Sequence, residues 1–81
     1  SNSYLDLERG TMVYLEDDKK YIIVQIKELY YDDKTNQFIR DYKIRELEDN
    51  ILLHKLIDIK SKDIKGSQEI NEVKKDYKNK E

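Results

Sequence analysis

There is no cysteine, no proline and no tryptophan in these 81 residues, and only two glycines and one histidine. Without cysteine no disulfide can staple the chain, so folding rests on an apolar core. A cysteine-free chain also fits a reducing, intracellular compartment. His54 stands alone, with no second histidine and no thiolate to complete a zinc site. Gly10 and Gly66 are isolated and form no phosphate-cradling loop. Ser67 follows Gly66 but has neither a nucleophile elbow around it nor a base nearby in sequence. The longest apolar run, Tyr21 to Val24, falls far short of the ~18 residues of a spanning helix. No signal peptide is visible. The expectation is a chain that is not an enzyme, holds no metal or cofactor and does not enter a membrane.

A field of one sign is also missing. Residues 1–40 carry six basic and eight acidic side chains, and residues 41–81 carry ten of each. The net charge is −2. An even spread argues against nucleic acid and anionic membranes as partners. Stacking of single-stranded RNA or DNA on tyrosines is the one nucleic-acid reading the composition leaves open.

What is present is a small domain. Apolar residues make up 37% of the chain and charged residues 42%. A chain of this size buries only about 60% of the surface that its unfolded form exposes. The apolar residues are clustered, which argues against disorder. "TMVYLE" (11–16) reads as a first strand and "DDKK" (17–20) as a turn. From Tyr21 a second strand begins, with Ile22, Val24 and Ile26 alternating onto one face and Gln25 and Lys27 on the other. At Glu28-Leu29 the phase slips, so that Leu29 and Tyr31 become the apolar positions, as a β-bulge would produce. "DDKTNQ" (32–37) is a second turn and "FIRDYKIREL" (38–47) a third strand, with Phe38, Tyr42 and Ile44 on one face. "EDN" (48–50) is a third turn. "ILLHKLIDI" (51–59) is a fourth strand, with Ile51, Leu53, Ile57 and Ile59 on one face, interrupted by Lys55; His54 then sits on its exposed face. "KSKDI" (60–64) resembles the short helical turn that closes small barrels.

After Gly66 the pattern changes. Ser67 can cap a helix, and Ile70, Val73 and Tyr77 form one apolar stripe at helical spacing. The spacing predicts a helix over 68–78. The expected organisation is a mainly β domain at 4–66 and a C-terminal helix with a polar tail at 67–81. Four to five short strands joined by polar turns give a bent antiparallel sheet or an SH3-like barrel. A helix over 43–60, with Ile44, Leu47, Ile51 and Leu52 in a stripe, competes with this; the Asp-Asn turn signal and the β-branched residues favour strands.

Seven tyrosines and one phenylalanine make a skewed aromatic set. A tyrosine ring buries while its hydroxyl stays wet, so most of these side chains belong to the core or its rim. Aromatics at strand ends can also form a cage for a methylated ammonium, worth about 0.5–2 kcal/mol. Asp32 and Asp33 beside Tyr30 and Tyr31 would favour a cation. Adjacent strand residues face opposite ways. If Leu29 and Tyr31 continue the core, Tyr30 is the exposed member and the recognition candidate. Asp32 and Asp33 do not form a calcium loop: counting from Asp33 puts Phe38 at the glycine position, and counting from Asp32 puts Lys34 at the second ligand. A solvated turn is the simpler reading of both Asp32-Asp33 and Asp17-Asp18.

The order of Val13-Tyr14, Asp18, "KYIIVQIKELYYDD", Phe38 and Tyr42, then Asn50, Leu53, His54, Asp58, Ile64 and Gly66, resembles the bromo-adjacent homology (BAH) domain over residues 12–66. Tudor and other SH3-like barrels share the first half of this order. The family's tryptophan is missing, its Arg-Pro segment is replaced by Ile44-Arg45-Glu46, and its Lys-Cys pair by Ser67-Gln68. The resemblance implies a distorted barrel that binds histone tails or other chromatin proteins in the nucleus. The expected site is then a peptide-binding surface of Tyr14, Tyr30, Tyr42, Asp32 and Asp33 for a basic histone-tail peptide. The alternative is a structural or accessory protein, such as a subunit of a larger phage or bacterial assembly, docking a partner through Ile70, Val73 and Tyr77.

Overall fold

The computed structural model describes residues 4–70, and within them the chain is mainly β, joined by turns and irregular segments. Six strands follow in order: β1 (Met12–Tyr14), β2 (Lys20–Asp32), β3 (Gln37–Glu48), β4 (Ile51–Leu52), β5 (Ile57–Lys60) and β6 (Gly66–Gln68). A single 3₁₀ turn at Ser61–Asp63 joins β5 to β6, where the sequence places its short helical turn. The strands form one antiparallel sheet in the order β4-β3-β2-β1-β6, with β5 also on β3. The sheet is open, because β4 and β6 do not pair.

Local chemistry sets the turns. Gly10, at φ 88°, takes a left-handed conformation that only glycine adopts freely. Its N–H donates to the Ile23 carbonyl, which seats β1 on β2. Asp49 and Asn50 both have positive φ and form a two-residue hairpin loop between Glu48 and Ile51, as a type I′ turn requires. The two Asp-Asp turns share a device: the first aspartate of each, Asp17 or Asp32, accepts a hydrogen bond from the backbone N–H two residues on. The second, Asp18 or Asp33, is exposed.

Two bulges bend β2. Each inserts one extra residue against β3, the first at Val24 and the second at Lys27–Glu28. The second is the phase slip legible in the sequence. The first is not, and it overturns the expected alternation of Ile22, Val24 and Ile26. Tyr21 and Ile23 face the core, Ile22 pairs with Met12 on the opposite face, and the bulge returns Ile26 to the core side opposite Tyr42. The main core cluster is Val13, Tyr21, Ile23, Tyr42, Ile44, Ile59 and Ile64, with Tyr4, Leu7, Leu15 and Ile57 packed against it; Met12, Ile22 and Ile39 are buried on the other face. Burying each large apolar side chain contributes about 1.5–3 kcal/mol.

The expected fourth strand is divided. Residues 51–60 follow one edge of β3, and Leu53 still donates its N–H to the Glu46 carbonyl, but 54–56 bulge away from it, so that β4 and β5 are separate. Arg45 holds this loop, its Nε donating to the Leu53 carbonyl at 2.6 Å. His54 lies in the loop, exposed, rather than on a strand. The helix expected from Ser67 is also corrected at its start. Ser67 pairs with Val13 and Gln68 with Met12, so these residues extend the sheet and Ser67 caps nothing. Strand pairing to β1 satisfies two backbones at once, which a short helix start there would not. Val73, Tyr77 and the rest of the expected helix lie outside the described residues; Ile70 is half-buried at their boundary.

Candidate functional site: a projecting two-stranded arm

Cross-strand partners share a face, so the register fixes what each side of the β2–β3 hairpin presents. On the core side run Tyr21, Ile23, Ile26, Leu29 and Tyr31 of β2 against Glu46, Ile44, Tyr42, Arg40 and Phe38 of β3. The base of this stripe is covered. A strap of residues 4–9 crosses it: the Tyr42 hydroxyl accepts from the Leu7 N–H at 3.0 Å and donates to the Tyr4 carbonyl at 2.7 Å. Burial pushes the Tyr42 phenol pKa up. Arg40 closes the covered part. Its Nε donates to the Leu5 carbonyl at 2.9 Å, its Nη1 to the Lys27 carbonyl in the second bulge, and its Nη2 lies 3.6 Å from Asp6.

Beyond Arg40 the hairpin continues as an arm. There Leu29, Tyr31 and Phe38 are 47–50% exposed, and Ile26, on the near side of Arg40 opposite Tyr42, is 43% exposed, although all four lie on the same face as the core. Tyr31 and Phe38 stack edge to face, with ring centroids 5.3 Å apart. The Tyr31 hydroxyl donates to Asn36 Oδ1 at 3.1 Å, which steadies the ring against the turn. Asp32 accepts from the Thr35 hydroxyl at 2.7 Å, and that bond holds its carboxyl below the usual range. Asp33 stands beside it, exposed.

The opposite face of the arm carries the buried Ile39, opposite Tyr30, and around it polar groups that are internally matched. Tyr30 is half-buried, and its hydroxyl donates to Asp41 at 3.0 Å. The Lys60 ammonium donates to the Tyr30 hydroxyl at 2.6 Å and lies 5.3 Å from the ring centroid. The hydrogen bond to Tyr30 raises the Lys60 pKa, with Asp41 adding to it. Lys43 and Lys27 hold Asp58 at 3.1 and 3.9 Å, and the bond from Lys43 lowers the Asp58 pKa. A shallow notch of about 220 Å³ is lined by Lys27, Asp41, Asp58, Ile59, Lys60 and Asp63, and its charges are of mixed sign.

The expected tyrosine set is therefore not one site. Tyr42 is fully buried and offers no surface to a ligand. Tyr14 pairs with Lys20 at the base of β2, ten residues from Tyr30, which is about 30 Å along a strand. Its hydroxyl reaches Gln68 on β6. Tyr30 already holds the chain's own lysine, while Tyr31 is the open ring. Asp32 and Asp33 do lie beside the arm's aromatic pair. Sequence reasoning placed Leu29 and Tyr31 on the core side, but the point where the cover stops depends on the strap and on Arg40. Among the described residues no three histidine, cysteine, aspartate or glutamate side chains cluster to hold a metal ion, and no helix is long and apolar enough to cross a membrane.

The geometry defines an open, bulged antiparallel sheet that projects a two-stranded arm, with a half-exposed apolar stripe on one face and, on the other, polar pairs around the buried Ile39. No family model, curated protein or solved structure matches the chain.

Proposed function

We propose that this chain is a non-enzymatic protein-interaction module that docks a basic segment of a partner protein on the β2–β3 arm. The observation that carries the reading is the half-exposed stripe Ile26, Leu29, Tyr31 and Phe38, ending beside the acidic pair Asp32-Asp33. Uncovered apolar clusters of this kind mark interaction surfaces, and aromatic side chains are the usual anchors of such contacts. The acidic turn gives the partner its sign.

A BAH-like relationship fits this reading and makes a histone tail in chromatin the partner of choice. Its support is the order of features: a bulged second strand, an aromatic third strand, then a 3₁₀ turn leading through Ile64 to Gly66. An SH3-like ancestry is consistent with the strongly bent hairpin. The test is direct binding of histone-tail peptides to the chain and to two variants. Phe38→Asp removes an anchor, and Asp33→Lys reverses an exposed charge without touching the turn that Asp32 builds. Phe38→Asp should weaken binding about tenfold or more, since one buried aromatic anchor is worth about 2 kcal/mol, and Asp33→Lys should weaken it by less, since an exposed charge pair is worth about 1 kcal/mol or below. Asp33→Lys should also flatten the salt dependence. Unchanged affinity in both variants rules the arm out as the docking surface.

A further inference from the structure

β1 covers the outer edge of β2 only along Lys20–Ile22, with Gly10 and Thr11 extending the contact to Ile23. There Gly10 turns the chain off the edge and sends the strap across the sheet face. From Val24 to Asp32, β2 is paired on its β3 side, and among the described residues no strand lies along its other side. Open edges invite a further strand, and bulges and charges are the usual protection. Here both bulges lie before Leu29, and the run Leu29–Asp32 is regular, in register with Arg40–Gln37. Lys27, Glu28, Asp33 and Lys34 flank that run with charge and limit how far any pairing can spread.

We infer that the outer edge of β2 at Leu29–Asp32 is a strand-addition site, taking an extended segment of a protein partner with alternating apolar and basic side chains. Leu29 and Tyr31 present apolar surface on one face, so every second side chain of the added strand meets it and covers it. The side chains between fall on the face of Tyr30 and Asp32, where a lysine or arginine opposite Asp32 makes a favourable cross-strand pair. The incoming strand continues the line of β1, so the sheet widens without any rearrangement. Backbone hydrogen bonds supply affinity and the alternation supplies specificity. The inference rests on the arm being the docking surface and says how the partner lies on it.

The test uses the full chain and short capped peptides alternating lysine and valine, read by amide NMR and by hydrogen exchange. The peptide should shift amides of Leu29–Asp32 and newly protect the alternate ones whose N–H groups point away from β3. Two further peptides carry backbone N-methyl groups, one on every valine and the other on every lysine. Only one of these sets points its N–H groups at the edge, so one peptide should lose binding about tenfold or more and the other should keep it. Equal binding by both methylated peptides, absence of binding, or concentration-dependent pairing of the protein with itself in place of peptide binding overturns strand addition. Histone-tail peptides that bind the arm without this alternation leave the proposed function standing and remove the edge. An alternating peptide that binds through the edge while no histone tail does leaves the edge and removes the histone partner.

Discussion

Asp17 and Tyr21 show how much one side-chain pair sets at the base of the sheet. The Tyr21 hydroxyl donates to Asp17 Oδ2 at 2.6 Å, lowering the pKa of the aspartate and pushing that of the phenol up to about 12. The pH dependence follows from both shifts. The aspartate's contribution is present above the ordinary carboxylate range and is lost as pH falls through its depressed pKa. The phenol's contribution is present below pH 10 and is lost as pH rises towards 12. Tyr21→Phe should return the Asp17 pKa towards 3.8 in a carboxyl NMR titration and remove the alkaline transition near 12. Tyr42→Phe acts differently, because its hydroxyl serves both the Leu7 N–H and the Tyr4 carbonyl. Its loss should cost about 1–2 kcal/mol in urea unfolding, and amide exchange should quicken at Leu7 first. These roles explain why tyrosine count alone misled: Tyr21 and Tyr42 spend their hydroxyls on the fold, and Tyr30 spends its own on Lys60 and Asp41.

At the level of elements, the turns were the most legible part of the chain, since each rests on side chains adjacent in sequence. The Asp49-Asn50 turn needs two residues that tolerate positive φ. Asn50→Gly should therefore leave stability unchanged or raise it, while Asn50→Val should cost about 1–2 kcal/mol in thermal unfolding. The third strand, the 3₁₀ turn and the second bulge were legible for the same local reasons. The first bulge at Val24 was not, because an unbroken apolar run, Tyr21 to Val24, reads identically in either phase. The division of 51–59 depends on Arg45 reaching the Leu53 carbonyl, a contact between elements that no local pattern announces. β6 was missed because Ser67 and Gln68 suit a helix start as well as an edge strand, and pairing with Met12 and Val13 decides between them.

On the scale of the whole molecule, a sheet too small to cover both faces of its longest hairpin leaves an arm. The strap and Arg40 seal the base, and the apolar stripe runs past them into solvent. Tyr31→Asp should change folding stability by no more than about 1 kcal/mol, the worth of one aromatic pair, yet abolish partner binding. The candidate site was half legible: the acidic pair and the face of Leu29 and Tyr31 could be read from the chain, whereas the burial of Tyr42 and the engagement of Tyr30 by Lys60 required the assembled sheet. The central claim is that the arm is where a basic partner docks. A two-dimensional amide NMR titration with histone-tail peptides, methylated and unmodified, tests it most directly. Shifts confined to Ile26–Arg40, absent in Tyr31→Asp, are the predicted result. Shifts centred on Tyr14 and β6, or none with any peptide, would contradict it.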